Sequence, residues 1–346
     1  MWNAGIAGPA TLPTRSGLGS TVAKALLVAA STAMAGVTLV ALLARQWWIA
    51  ELFTHFRVQY AAAGLVLLII ALFMRRRLAA AVLGATVLVN AFFLAPYLPI
   101  GNSLEGSQAS RPADGSSPAA VGANSLRVVS ANVLYQNTVA AALIDTVRAS
   151  NADVLAVLEL TAAYAEQLTA LHADYPYRVL SADEGAFGIG LYSRVPLENA
   201  EVVVLGQTRA VSATIFRDGG SVHFIGVHLL PPKNIAWADA RNEQLSQLAR
   251  LSTQYAGQTL VCGDFNLTPY SPYFQDFLND SALVDRRTGT GFNWTWPTGF
   301  LALSLPIDHC LTDAATPVRA VETLGDIGSD HYPVLIDVEI TTGKDG

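Results

Sequence analysis

The chain has 346 residues, of which 52% are hydrophobic and only 14% charged, and its mean hydropathy is +0.37. Soluble domains carry about a quarter charged residues, so part of this chain is expected to sit in lipid or to be buried on every side. Residues 1–125 carry a net charge of +5 and residues 126–346 a net −11, within a total of −6; the acidic second part argues against tight, non-specific duplex binding, which depends on Lys and Arg displacing counterions from phosphates.

Three apolar stretches, 22–44, 58–74 and 78–98, fill the first hundred residues. The first carries one charge, Lys24 at its start, and the other two carry none. Each has about the length needed to cross ~30 Å of hydrocarbon at ~1.5 Å per residue, so residues 1–98 are predicted to form a membrane domain of three transmembrane helices. A cleaved signal peptide fits poorly, because two further spans follow the first. Arg75, Arg76 and Arg77 form the tight loop between the second and third spans, and Arg15 and Lys24 precede the first. Positive charge marks the cytoplasmic side, which puts everything after Leu98 outside the cytoplasm. Trp47, Trp48, Phe53 and Phe56 between the first two spans suit the outer interface, although Arg45 and Arg57 flank them. Asn90 is the lone polar candidate for a transport pathway, which intramembrane ionisable groups normally mark, so a transporter is disfavoured.

Residues 99–125 are dominated by Gly, Ser, Pro, Ala and Asn without apolar periodicity. This is predicted to be a flexible linker, letting the next domain range over ~tens of ångströms from the bilayer. The pattern then turns to short β-like runs alternating with helix-like ones over 126–340, before a tail at 341–346. Strands are predicted at 126–135, 153–160, 177–181, 187–193, 200–205, 209–216, 221–229, 258–263, 306–312, 317–323 and 333–340. Helices are predicted at 138–149, with Val139, Leu143, Ile144 and Val147 on one face, at 161–171 behind a Thr161 cap, and at 236–255. Many strands with few helices imply sheet packed on sheet with helices outside. Cys262 and Cys310 both lie in strand-like runs; two buried thiols are the expected state, with a bridge between neighbouring strands as the alternative.

Polar, metal-competent residues recur at the ends of the apolar strands. Asn132 closes SAN, Glu159 sits near the end of an otherwise apolar run after Asp153, and His228 ends FIGVH. Asp264 and Asn266 form GDFN, Asp308 and His309 follow LSLPI, and Asp330 and His331 form SDH before YPVLIDV. An ionised carboxylate at the end of a buried strand is costly unless paired or bound to a cation, and several together call for one. Asp153 reads as a turn residue. His309 follows Asp308, so strand alternation turns it to the opposite face as a structural group, and His223 reads as exposed on a strand.

This string of motifs resembles the endonuclease/exonuclease/phosphatase superfamily, which includes deoxyribonuclease I-like nucleases, abasic-site endonucleases, neutral sphingomyelinases and inositol polyphosphate 5-phosphatases. The resemblance covers roughly 126–340, with its main motifs in family order, and the layout is similar to membrane-anchored bacterial members. It implies an α/β fold, a four-layer α/β/β/α sandwich preceded by the three transmembrane helices, in an inner or plasma membrane. It implies that Glu159, helped by Asn132 and Asp330, binds Mg²⁺ or Mn²⁺. His331 is implied as general base or phosphate contact oriented by Asp308, Asp264 and Asn266 as positioning water and phosphate, and His228 as a donor to a non-bridging oxygen.

Arg241 and Gln244, in ARNEQL, match an Arg/Gln pair common in the family; Arg241 is expected either to bind substrate phosphate or to lie on a solvated helix face. Trp294 and Trp296 in NWTWP either stack on a base or pack under a loop, and GIGLYSR over 188–194 is scaffold whose glycines permit close approach. The expected activity is metal-assisted phosphodiester or phosphomonoester hydrolysis, on nucleic acid, a phospholipid headgroup or a small phosphorylated metabolite. The competing reading is a catalytically silent, membrane-tethered binding module, which the intact motif set disfavours.

Overall fold

The computed structural model describes residues 15–99, 124–217, 219–255 and 257–341. The first segment forms α1 (Arg15–Ala41), a short α2 (Trp48–Leu52), α3 (Arg57–Phe73) and α4 (Arg77–Leu94). Three helical stretches, Gly19–Ala41, Trp48–Phe73 and Arg77–Tyr97, are long and apolar enough to cross a membrane. The second reaches further back than predicted, because α2 and the 3-10 turn Phe53–Phe56 run directly into α3. Large side chains such as Phe73, Leu78 and Leu88 point outward on this bundle, the arrangement expected where lipid is the solvent. Asn90 is buried and donates to the Thr38 hydroxyl and the Thr86 carbonyl. It ties α4 to α1.

The remaining elements are β1 (Ser125–Asn132), α5 (Ala141–Ala149), β2 (Val154–Leu158), α6 (Ala162–Gln167), β3 (Tyr177–Ser181), β4 (Ile189–Ser193), β5 (Leu197–Leu205), β6 (Thr208–Arg217) and β7 (Gly220–His228). They continue as α7 (Ile235–Ser252), β8 (Gln258–Asp264), α8 (Pro272–Ser281), β9 (Leu283–Asp285), β10 (Asp308–Asp313), β11 (Val318–Thr323) and β12 (Val334–Glu339). Two six-stranded mixed sheets result, in the orders β11-β12-β1-β2-β4-β3 and β5-β6-β7-β8-β10-β9.

The apolar alternation explains the layers. Val128, Val154, Ala156 and Leu158 of one sheet meet Val211, Phe224, Leu260 and Cys262 of the other in a shared interior. The opposite faces take helices: Leu143, Val147, Tyr164 and Leu168 pack on Val129, Leu155 and Val157, while Leu245, Leu248, Phe274 and Phe277 pack on Ile225, Val227 and Val261. Each fully buried large apolar side chain contributes ~1.5–3 kcal/mol relative to exposure. This is the expected four-layer α/β/β/α sandwich. Thr161 caps α6, accepting from Tyr164 N at 3.2 Å. The expected helix at 161–171 divides into α6 and a 3-10 turn, Leu168–Leu171.

Three expectations change. Cys262 and Cys310 are bridged, not free thiols: they sit directly opposite each other on antiparallel β8 and β10, Cα atoms 4.2 Å apart. His223 is buried, hydrogen-bonded by Ser212 and Thr214 and stacked on Tyr255. The expected free range of the second domain gives way to docking, although most of the linker lies outside the described residues. Glu51 of α2 binds Arg241 at 2.6 Å and Ser271 at 2.8 Å, His55 meets Thr268 at 3.0 Å, and Arg45 pairs with Asp276 at 2.8 Å. The carbonyls of Pro96 and Tyr97 accept from Gly289 N and Gly291 N.

Candidate active site

The two parallel strand pairs of the sandwich, β1 with β2 and β7 with β8, set the site. Register places Asn132 beside Leu158, one residue before Glu159, and His228 beside Asp264. Antiparallel β10 then puts Asp308 opposite Asp264. Five groups far apart in sequence thus converge where the central strands of both sheets end.

Backbone features fix the loops that carry them. Glu159 and Asn266 have positive φ, 59° and 52°, a left-handed conformation costly for residues with a Cβ and concentrated at functional sites. Leu160 N, the next amide after Glu159, donates to Gly188 O at 3.0 Å. A Cβ on Gly188 would lie 1.9 Å from the Leu160 carbonyl, so the first glycine of GIGLYSR is required by close approach. Gly263, before Asp264, is constrained the same way: its Cβ would fall 1.9 Å from Val227 O.

Asn132 stands between two carboxylates, its Nδ2 donating to Glu159 at 3.1 Å and Asp264 at 3.2 Å. Its oxygen accepts from Leu134 N, so the amide nitrogen faces the acids. Glu159 also accepts from Tyr135 N at 2.9 Å. His228 Nε2 lies 3.4 Å from Asp264 and 3.9 Å from Glu159. His331 Nδ1 is 2.8 Å from Asp308 Oδ2, and its Nε2 is 3.8 Å from Asp264. All six are buried. Asn266 donates to Leu229 O, and its backbone N–H donates to Asp264 Oδ1. Asp330 is half-buried at the rim, where the Trp296 indole donates to it at 3.0 Å.

Burial alone would lower the pKa of His331, but the Asp308 and Asp264 carboxylates outweigh it and push it up to about 10. Burial likewise opposes a charge on His228, and Asp264 and Glu159 prevail to raise it. Asp264 is held below the usual carboxylate range: burial works against this, and His331 and His228 overcome it. Asp264, Asp308 and His331 bring one donor atom each within 4.8 Å of one another, a possible metal site.

Arg241 is not at a substrate surface or on a solvated helix face. It is wholly buried and paired with Glu51, a partner 190 residues away that no local pattern reveals. Gln244 is also structural, bonding Leu230 N, Leu205 O and the Thr208 hydroxyl. Trp294 packs against Phe292. His309 is buried as expected, held by Arg287 and the Leu267 carbonyl.

Two supporting residues were not singled out in the sequence. Thr295, between the two tryptophans, accepts from Ile307 N and Asp308 N at 3.1 Å each. Ser329 donates to Asn132 O at 2.8 Å and accepts from His331 N. Their hydroxyls splice the site's loops together, and only their adjacency to NWTWP and SDH hinted at it.

The sequence profile of the Endonuclease/Exonuclease/phosphatase family matches residues 129–331. The chain belongs to this family. Its members are phosphoesterases, and family enzymes typically use divalent metals. No curated protein sequence is matched. Among solved structures, D. rerio TDP2 complexed with single-strand DNA product is similar over 62% of this chain and 99% of its own, at 19% identity and TM-score 0.55. An endonuclease/exonuclease/phosphatase from Bacteroides vulgatus shares 16% identity over 63% and 99%, TM-score 0.53. The 3′ phosphatase NExo from Neisseria, bound to a product DNA hairpin, shares 20% identity over 62% and 99%, TM-score 0.51. At these identities the likeness is one of fold.

Proposed function

We propose that the chain is a membrane-anchored phosphoesterase that hydrolyses phosphodiester or phosphomonoester bonds with Mg²⁺ or Mn²⁺, its catalytic domain outside the cytoplasm. The observation that carries this is the buried chain of contacts from Glu159 through Asn132 and Asp264 to His331 and Asp308. Glu159, Asp264, Asp308 and Asp330 face only two histidines, His228 and His331. Such hard oxygen donors fit a small divalent cation, and buried carboxylates in this number are costly without one. Glu159 is the proposed principal ligand, helped by Asn132, which donates to it, and by Asp330.

A bound cation supplies Lewis-acid polarisation of the phosphate and positive charge that offsets the carboxylates. His331 is the proposed base: its Nε2 accepts the proton of the attacking water while Asp308 fixes the other nitrogen. Asp264 and Asn266 orient that water and the phosphate. His228, whose pKa Asp264 and Glu159 raise against burial, donates to a non-bridging oxygen as charge builds there.

Two features support the location. The Arg75–Arg77 loop is at the other end of α3 and α4 from the docked domain, and positive loops favour the cytoplasmic side. The Cys262–Cys310 bridge suits an oxidising compartment. DNA product in two structural neighbours puts DNA in the first set of substrates, with phospholipids and small phosphorylated metabolites as the others.

The test is a hydrolysis panel on the detergent-solubilised full chain with Mg²⁺ or Mn²⁺ and with chelator. Substrates are plasmid and single-stranded DNA, RNA, phospholipids, inositol phosphates and a bis-aryl phosphodiester. Turnover that is lost on chelation and in Glu159→Gln and His331→Ala supports the reading. A folded chain inert on every substrate sinks it in favour of a binding module.

A further inference from the structure

A cavity of about 850 Å³ lies where the ends of α1, α3 and α4 meet α8 and β9. It shares no residue with the active site. Its walls are largely apolar, with Leu42, Phe92, Phe93, Tyr97 and Leu278 among them. Leu42 and Phe92 are 46% and 75% exposed, so the cavity adjoins the flank of the bundle that faces lipid if the helices are inserted.

Among the described residues, one cation in this wall lacks a counter-charge. Arg57, at the start of α3, is only 1% exposed and lines the cavity. Among the described residues its Nε has no hydrogen-bond partner, and its one hydrogen bond to another side chain is a long 3.4 Å contact with the neutral amide of Asn90. Its guanidinium lies 3.6 Å over the Phe93 ring. The nearby acids are committed elsewhere: Glu51 to Arg241, Asp276 to Arg45, and Asp285, which also lines the cavity, to Arg287. A buried, unpaired charge is strongly unfavourable, so an anion belongs beside Arg57.

We propose that this cavity binds an anionic phospholipid, its phosphate on Arg57 and its upper acyl region against Leu42 and Phe92. The position at the ends of three spans is where headgroups lie, and basic pockets between transmembrane helices recognise such headgroups. The volume lies within the ~300–1,000 Å³ of ordinary ligand sites. Apolar walls favour a lipid over a free anion, and the unpaired guanidinium favours an anionic lipid over a zwitterionic one. The bound lipid would brace the joint between membrane bundle and catalytic domain. This rests on membrane insertion of the helices, tested separately by retention in the membrane pellet after an alkaline carbonate wash.

The experiment is thermal melting of the full chain in detergent micelles, titrated with phosphatidylglycerol, phosphatidylcholine or inorganic phosphate. Phosphatidylglycerol is expected to raise Tm saturably, with little effect from the other two. Arg57→Gln should weaken the response by about tenfold or more, the loss of one charge-assisted contact. Arg75→Gln, at the opposite end of the bundle, should leave it unchanged. If Arg57→Gln does not fold, Asn279→Trp decides: this exposed α8 position lines the cavity, and the indole should obstruct it and blunt the response. Equal stabilisation by phosphatidylcholine, equal stabilisation by inorganic phosphate, or an unaltered response in both cavity variants overturns the proposal.

Discussion

Glu51 of α2 and Arg241 of α7 form an ion pair at 2.6 Å in which neither side chain has any exposed surface. The carboxylate's other oxygen accepts from Ser271, and His55, one helical turn further on, meets Thr268. Thr268 and Ser271 belong to the loop that leaves Asp264 and Asn266, so the apolar helical segment clasps the chain that carries the site. Breaking a buried pair by removing one partner costs ~3–5 kcal/mol. Glu51→Ala should therefore lower the Tm of the solubilised full chain markedly. The Glu51→Met/Arg241→Met double variant, which buries no charge, should recover much of that loss. A double variant no better than Glu51→Ala would contradict this account.

The Asp308–His331 hydrogen bond predicts a kinetic signature. Asp308→Asn keeps the size of the side chain but removes the charge that orients and polarises His331. It should lower kcat by ~10²–10⁴-fold, the usual contribution of general acid–base catalysis, with KM little changed. Steady-state kinetics on the best substrate of the panel check this, and a change confined to KM would assign Asp308 to binding instead.

The Cys262–Cys310 bridge closes a loop spanning 48 positions between the central strands β8 and β10. On the loop-entropy account such a link stabilises by about 4 kcal/mol. The Cys262→Ser/Cys310→Ser variant should melt well below the parent, and reductant should lower the parent's Tm but not the variant's. Identical reductant sensitivity in the two proteins would exclude the bridge as its source.

His309 makes stability depend on pH. Burial, with help from Arg287, lowers its pKa from 6.5 to about 3. Nε2 donates to the Leu267 carbonyl, so Nδ1 is the lone pair that accepts from Arg287 and has no room for a proton. Because the folded value lies below the unfolded one, stability is complete above 6.5 and is lost as pH falls toward about 3, at up to ~1.4 kcal/mol per pH unit. His309→Gln, with a donor and an acceptor but no titration, should show a shallower fall in Tm over that window. Parallel curves would remove His309 as the cause.

Much of the catalytic half was legible because its signals are local. Strand alternation placed β1, β2, β7, β8, β10 and β12, and GDFN and SDH at strand ends marked Asp264, Asn266, Asp330 and His331. α8 was not among the predicted helices; Ser271 caps it and Pro272 opens it, and Phe274 and Phe277 bury themselves beneath it. β9, only three residues long, left no pattern at all.

By itself, the sequence determined the three apolar spans, the layered sandwich and the residue types of the site, since length, hydrophobic period and strand-end polarity are properties of neighbours along the chain. Tertiary structure alone decided that Arg241 answers Glu51, that Cys262 faces Cys310, that His223 is buried and that the sandwich docks on the N-terminal apolar helices. Each of these depends on strand register or on contacts between segments far apart in the chain. The free energy that selects such contacts, burial of charge with its partner and of apolar surface with its complement, exists only once the layers have closed.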